Sequence, residues 1–458
     1  MIQDSMMASM AFPLPEDADS ALQSGDIALA GQILDGYLKR DIPPALRARL
    51  TLEKHFLPQM EACYPLTRDD LVSALQQHIP GFSAGDLLRL LQEGWLDTRM
   101  ARGQRMYMKD TVDSLLKAHP DIAARAGQPL QKENPQLDDM MRAVKAKGHL
   151  AMGLSMDISL RIREDCFVPG TAYRVHLPLP RPGISQKNIR VLDAQPTPKH
   201  IARESAPQRT AYYEEVLEEN RDFTASFSFE QHIRYANAWD GEAAIAYPHA
   251  PPPTAEDLGE QAPHILFTPY LKALAMGIKG EEVFPLRIAR NIYKWITTDV
   301  RYAYQRPYRL IPGGAEYTAI NLRGDCGLQA LLFITLCRIL GIPARWESGL
   351  FASPQHVGSH DWAQFYTEAC GWLPADCSFG GTAARCGNEE RHQFYFGNLD
   401  PYRMAANNQY YAPFQPARLH LRNDPYDNQR GEAETLERPL ESHEYDTRFT
   451  LTAHQLLP

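Results

Sequence analysis

Three residues in the second half of the chain carry side chains that could share one reaction: Cys326, His360 and Asp376. Cys326 stands in Arg323-Gly324-Asp325-Cys326-Gly327, where an apolar run at helical spacing begins (Ala330, Leu332, Phe333, Leu336, Ile339, Leu340). A helix N-terminus offers unpaired N–H groups and the positive end of the macrodipole, and both favour a thiolate. Gly324 and Gly327 predict room for a substrate carbonyl beside the sulfur. A nucleophilic thiolate needs a base or imidazolium partner, and the imidazole needs an orienting carboxylate. His360 opens an aromatic-rich strand (Trp362, Phe365, Tyr366), and Asp376 ends the next strand, past the Cys370-Gly371 turn. A pivot between 368 and 370 sets position 360 opposite 376 to 380. His356, in a loop marked by Pro354 and Gly358, is a weaker base candidate. On its own, a cysteine on an apolar helix reads as core. Cys337 is read that way, too far along the helix axis from Cys326 for a disulfide. Cys370, Cys377 and Cys386 with His392 lack any C-x2-C pair, so no metal site is predicted.

The order of these motifs resembles the transglutaminase-like superfamily in its bacterial form, with its papain-like Cys-His-Asp core. The resemblance rests on Gly324-Asp325-Cys326, Gly341-Ile342-Pro343-Ala344-Arg345, His360-Asp361-Trp362 and Gly371-Trp372 with Asp376, and spans about 285–400. Val300-Arg301-Tyr302 is similar to the family's segment before the catalytic loop. The resemblance implies Cys326 as nucleophile, His360 as base and Asp376 as orienting acid. Attack on a peptide or glutamine-type amide would give a thioester, with water or an amine as acceptor. The oxyanion would take the Cys326 N–H and one side-chain donor, Tyr302, with Tyr304 as the alternative. Peptide or protein substrates are implied; no calcium-loop pattern is present, so no metal dependence is expected, and no cofactor is expected. One departure is Asp361, where the family usually has a small apolar residue. If 360 faces the site, 361 is expected on the other side of the sheet.

The elements that would position these residues follow from periodicity. The fold class expected is multidomain α+β. Residues 1–150 form a helical N-terminal region. In it, Thr67 with Asp70 and Ser83 with Asp86 cap two helices, and Ala101-Arg102-Gly103 turns a hairpin. That order is winged-helix-like. From 151 to 241 the period becomes two (Met156, Ile158, Leu160, Ile162; Tyr173, Val175, Leu177; Phe223, Ala225, Phe227, Phe229), predicting a β-sandwich-like antiparallel module. Residues 242–263 read as a stiff Pro-rich linker, 264–400 as the catalytic core, and 401–458 as loops wrapping it.

Composition narrows the functions. With 458 residues, the length predicts about three domains. A 44% hydrophobic and 22% charged composition belongs to a folded chain. The seven cysteines are an odd, sparse set, which excludes a disulfide framework. The net charge of −9 argues against nucleic-acid binding by the whole chain. No signal peptide or transmembrane run is read, so no membrane association and a cytoplasmic location are expected. A second function class is a catalytically inactive binding or scaffold protein. Its nucleic-acid variant would use residues 60–120, where Arg99, Arg102, Arg105 and Lys109 form a local basic wing.

Overall fold

The computed structural model describes residues 4–241, 246–423 and 426–458. The N-terminal region holds α1 (Glu16–Ser24), α2 (Ile27–Leu38), α3 (Pro44–Ala62), α4 (Arg68–His78) and α5 (Ala84–Gln92). The hairpin β1 (Thr98–Ala101)–β2 (Gln104–Tyr107) follows, then α6 (Thr111–Ala118), α7 (Pro120–Arg125) and α8 (Pro135–Lys147). Thr67 and Ser83 each close a capping box with Asp70 and Asp86, as their spacing predicts. Arg102 and Gly103 both take positive φ, which matches the turn to the twist of the hairpin. The hairpin's arginines point to protein partners: Arg99 to the Leu22 carbonyl, Arg102 to Glu61, Arg105 to Thr98.

The β region comprises β3 (His149–Ile162), β4 (Thr171–Pro178), β5 (Gln186–Gln195), β6 (His200–Ile201), β7 (Thr210–Leu217) and β8 (Phe223–Arg234). Strict alternation along β3 and β8 buries Leu154, Met156, Ile158 and Leu160 against Phe223, Ala225, Phe227 and Phe229.

The core contains α9 (Pro269–Lys279), α10 (Pro285–Asp299), β9 (Arg301–Tyr302), α11 (Gly314–Asn321), β10 (Arg323–Gly324) and α12 (Cys326–Ile339). It continues through β11 (Ala344–Ala352), β12 (Val357–Thr367), β13 (Gly371–Ala375), α13 (Cys377–Arg385), α14 (Glu389–Phe394) and β14 (Arg403–Asn407). Residues 327–338 of α12 are all buried, as its nearly all-round apolar sequence requires. An antiparallel sheet in the order β13-β12-β11-β14 packs on it, with Phe365 of β12 meeting Phe333 at 5.8 Å between ring centroids.

The C-terminal segment departs from the expectation of loops. Besides β14 it supplies β15 (Glu432–Glu434) and β16 (Tyr445–Leu456). These complete two four-stranded antiparallel sheets, β15-β4-β7-β6 and β16-β3-β8-β5. β16 runs along β3 from Tyr445 opposite Ile162 to Leu456 opposite Met152. As an edge strand it leaves most of its residues accessible to water, so its apolar alternation is faint. The expected linker is partly anchored: the Pro251 carbonyl accepts from Trp372 Nε1 at 2.8 Å, and Ala246 and Tyr247 are buried. Its first residues, 242–245, lie outside the described residues.

Candidate active site

Cys326 is the first residue of α12 and is partly exposed. Asp325 caps the helix, its Oδ1 accepting from the Leu328 N–H at 3.2 Å and from the Tyr308 hydroxyl. The Cys326 thiol donates to Asp361 Oδ2 at 3.3 Å. Asp361 in turn accepts from Gln429 Nε2, and its carboxyl is hydrogen-bonded to buried Asp427. Burial, then the Asp361 and Asp325 carboxylates, push the thiol well above the usual cysteine range. These forces oppose the thiolate character expected from the helix N-terminus. Burial also pushes Asp325 up to about 6.

The space expected beside the sulfur is already filled. A Cβ on Gly327 would fall inside contact distance of the Tyr308 hydroxyl and 2.8 Å from Asp361 Oδ2. On Gly324 it would sit 2.9 Å from Leu328 Cβ. The two glycines admit protein side chains.

His360 and Asp376 meet: Nε2 lies 2.7 Å from Asp376 Oδ2. Nδ1 has no hydrogen-bond partner among the described residues. Asp376 leaves β13 to cap α13, its Oδ1 accepting from the Phe379 N–H at 2.8 Å. Arg403 Nη1 donates to the same Oδ2 at 2.7 Å, and Arg403 Nη2 to Asp400 at 2.6 Å. Although burial alone would raise it, His360 and Arg403 hold the Asp376 carboxyl far below the usual carboxylate range. Burial lowers the His360 imidazole, opposed by Asp376.

Strand alternation assigns the faces. His360 stacks on Trp362 at 6.0 Å, two residues along β12, and packs tilted against Phe379 at 4.6 Å. Asp361 shares its face with Phe365, the face that packs on α12. The expectation that 361 points away from the cysteine is therefore overturned. The structure brings His360 to Asp376 and Cys326 to Asp361; Cys326 and His360 share no hydrogen bond among the described residues.

Tyr302 reaches the site because β9 pairs in parallel with β10, Tyr302 opposite Gly324. Its hydroxyl accepts from Lys117 Nζ at 3.1 Å, and Tyr304 does so at 3.2 Å. The ammonium also lies 4.3 and 4.7 Å from the two ring centroids. Burial, with Cys326 and Asp325 nearby, raises the Tyr302 phenol. Lys117 belongs to α6, so the N-terminal region contributes directly to this site. His356 hydrogen-bonds through its backbone to Ser353, away from the pair. Cys337 is fully buried, and His392 holds Thr297 at 2.8 Å. Lys117, Tyr308, Arg403, Asp427 and Gln429 carry no local motif that would have singled them out.

Residues 272–377 match the family model described as Transglutaminase-like superfamily, a span that includes Cys326, His360 and Asp376. Among solved structures, "a Putative Cysteine Protease from Cytophaga hutchinsonii" aligns at 13% identity over 68% of this chain and 90% of its own, TM-score 0.39. The periplasmic domain of TgpA from Pseudomonas aeruginosa aligns at 14% identity over 57% of this chain and 97% of its own, TM-score 0.26. No curated protein matches the chain. The matched span, which holds the cysteine-led buried helix and the three antiparallel strands β11, β12 and β13, is a transglutaminase-like domain.

Proposed function

We propose that the protein is a thiol enzyme that attacks peptide or glutamine-type amides, with Cys326 as nucleophile, His360 as base and Asp376 as its orienting acid. The observation that carries this reading is the 2.7 Å contact between His360 Nε2 and Asp376 Oδ2, which leaves Nδ1 for a thiol proton. His360 and Asp361 project from opposite faces of β12, so this reading requires the sulfur to leave Asp361 and move to the imidazole. In the reaction, the thiol leaves Asp361 and passes its proton to Nδ1. The sulfur then adds to the amide carbonyl carbon. The oxyanion takes the Cys326 N–H and the Tyr302 hydroxyl, whose oxygen Lys117 already occupies as a donor, leaving its hydrogen to be given. Collapse expels the amine with the proton from His360 and leaves a thioester. Water or a second amine releases the acyl group and restores the thiol.

Incubation with a peptide library, with and without a primary amine, read by mass spectrometry, separates cleavage, deamidation and cross-linking. The expected result is one of these products from the wild type and none from C326A. Products at equal rate from C326A would refute the reading. One observation favours the second function class, a non-catalytic binding protein: the thiol is held protonated on a carboxylate. That reading predicts equal, slow iodoacetamide labelling of Cys326 and Cys337, whereas the enzyme reading predicts faster labelling of Cys326.

A further inference from the structure

A cleft of about 310 Å³ lies between the turn after β4, residues 246–251 and the start of β11. It is large enough for a small organic ligand. Its charge is one-sided: Arg181, Lys187, Arg234 and Arg345 line it against a single carboxylate, Glu347. This concentration stands out in a chain of net charge −9. Glu347 is already engaged, its Oε2 accepting from Trp362 Nε1 and Gln364 Nε2, each at 2.7 Å.

Arg181 is the informative residue. It is only 8% exposed, and its Nε donates to the Ala206 carbonyl at 3.3 Å. Neither η nitrogen has a hydrogen-bond partner among the described residues. Burial pushes the guanidinium down to about 10, opposed by Glu347, so it remains charged at neutral pH. These donors open onto the cleft, where a ligand can meet them. The fork geometry fits two oxygens of one carboxylate or phosphate. Tyr247, Ile184 and Pro248 give the cleft an apolar wall beside this cationic floor.

We propose that the cleft binds a small organic oxyanion, a carboxylate or phosphate monoester on an apolar body, with Arg181 receiving the oxyanion. The site is separate from the proposed thiol chemistry and stands without it. The test is calorimetric titration of the full chain with phenyl phosphate, benzoate and inorganic phosphate. Saturable binding of at least one aromatic probe is expected, tighter than inorganic phosphate and weakened by added salt. The tighter aromatic probe identifies the head group. Arg181→Gln should weaken binding at least about tenfold, the worth of a charged hydrogen bond. Arg234→Gln, on the exposed rim, should weaken it several-fold without moving the melting temperature. If Arg181→Gln does not fold, Arg234→Gln and Lys187→Gln decide the matter. Absence of saturable binding by either aromatic probe overturns the proposal. So does binding that the folded variants leave unchanged.

Discussion

At Cys326 a helix N-terminus that favours a thiolate meets burial and two carboxylates that oppose it. The thiol is a hydrogen-bond donor to Asp361. Asp361→Asn removes the nearest negative charge and should accelerate alkylation of Cys326 several-fold near neutral pH, while Cys337 stays slow. Mass spectrometry of the labelled thiols checks this. Asp376→Asn should be severe for a different reason. It leaves buried Arg403 with only Asp400 as a carboxylate partner and takes the charged acceptor from His360, so the urea midpoint should fall. The acid response has a definite sign. His360 is held below 6.5 and Asp376 below 3.8, so each binds protons more readily when unfolded. Their contributions to stability are complete above those values and fade as pH falls through the folded ones. Asp325, raised to about 6, has the opposite sign and gains stability over part of that range. His360→Gln should therefore reduce the acid loss of stability below pH 6.5 relative to wild type, measured as urea midpoints at successive pH values.

Among the elements, α12 is the one whose packing tolerates least. Gly327→Ala would drive a methyl group into Tyr308 and Asp361, and overpacking of this kind costs about 1–3 kcal/mol. It should also disturb the thiol–carboxylate contact, visible as altered labelling of Cys326. α12 and the three strands after it were legible in the sequence. Apolar periodicity, the Gly341-Ile342-Pro343 stop and the Cys370-Gly371 turn mark them without outside help. The pairing of His360 with Asp376 was legible from hairpin arithmetic, since Thr367 faces Gly371 and Ala363 faces Ala375. The phase of β12 was not. Nothing local states whether 360 or 361 meets the helix. Phe365 against Phe333 on one side, and Arg403 reaching Asp376 on the other, decide it. β14, β15 and β16 were missed because each is an edge strand of its sheet, and β16 is polar along most of its exposed face.

Across the whole molecule, regions read as separate in the sequence converge on one site. Lys117 arrives from the helical region, and Asp427 and Gln429 from the C-terminal segment. Asp97, after α5, joins the regions more firmly. It accepts from Arg323 at 3.1 Å and Tyr317 at 3.2 Å, with Arg306 at 3.4 Å. Asp97→Ala strands two largely buried guanidinium groups and should cost about 3–5 kcal/mol, read as a lower urea midpoint. Whether the helical region stabilises the rest is measured by the same experiment: a single shared transition, lowered as a whole, is the expected outcome.

The pairing of β16 with β3 also bears on synthesis. Ile162 waits for Tyr445, so one edge of that sheet stays open on the ribosome until β16 emerges. Asp376 and Cys326 are made well before Arg403 and Gln429, which hold Asp376 and Asp361. A nascent chain therefore carries the thiol before the partners that settle its surroundings, and the site takes its finished form only after Gln429 is made.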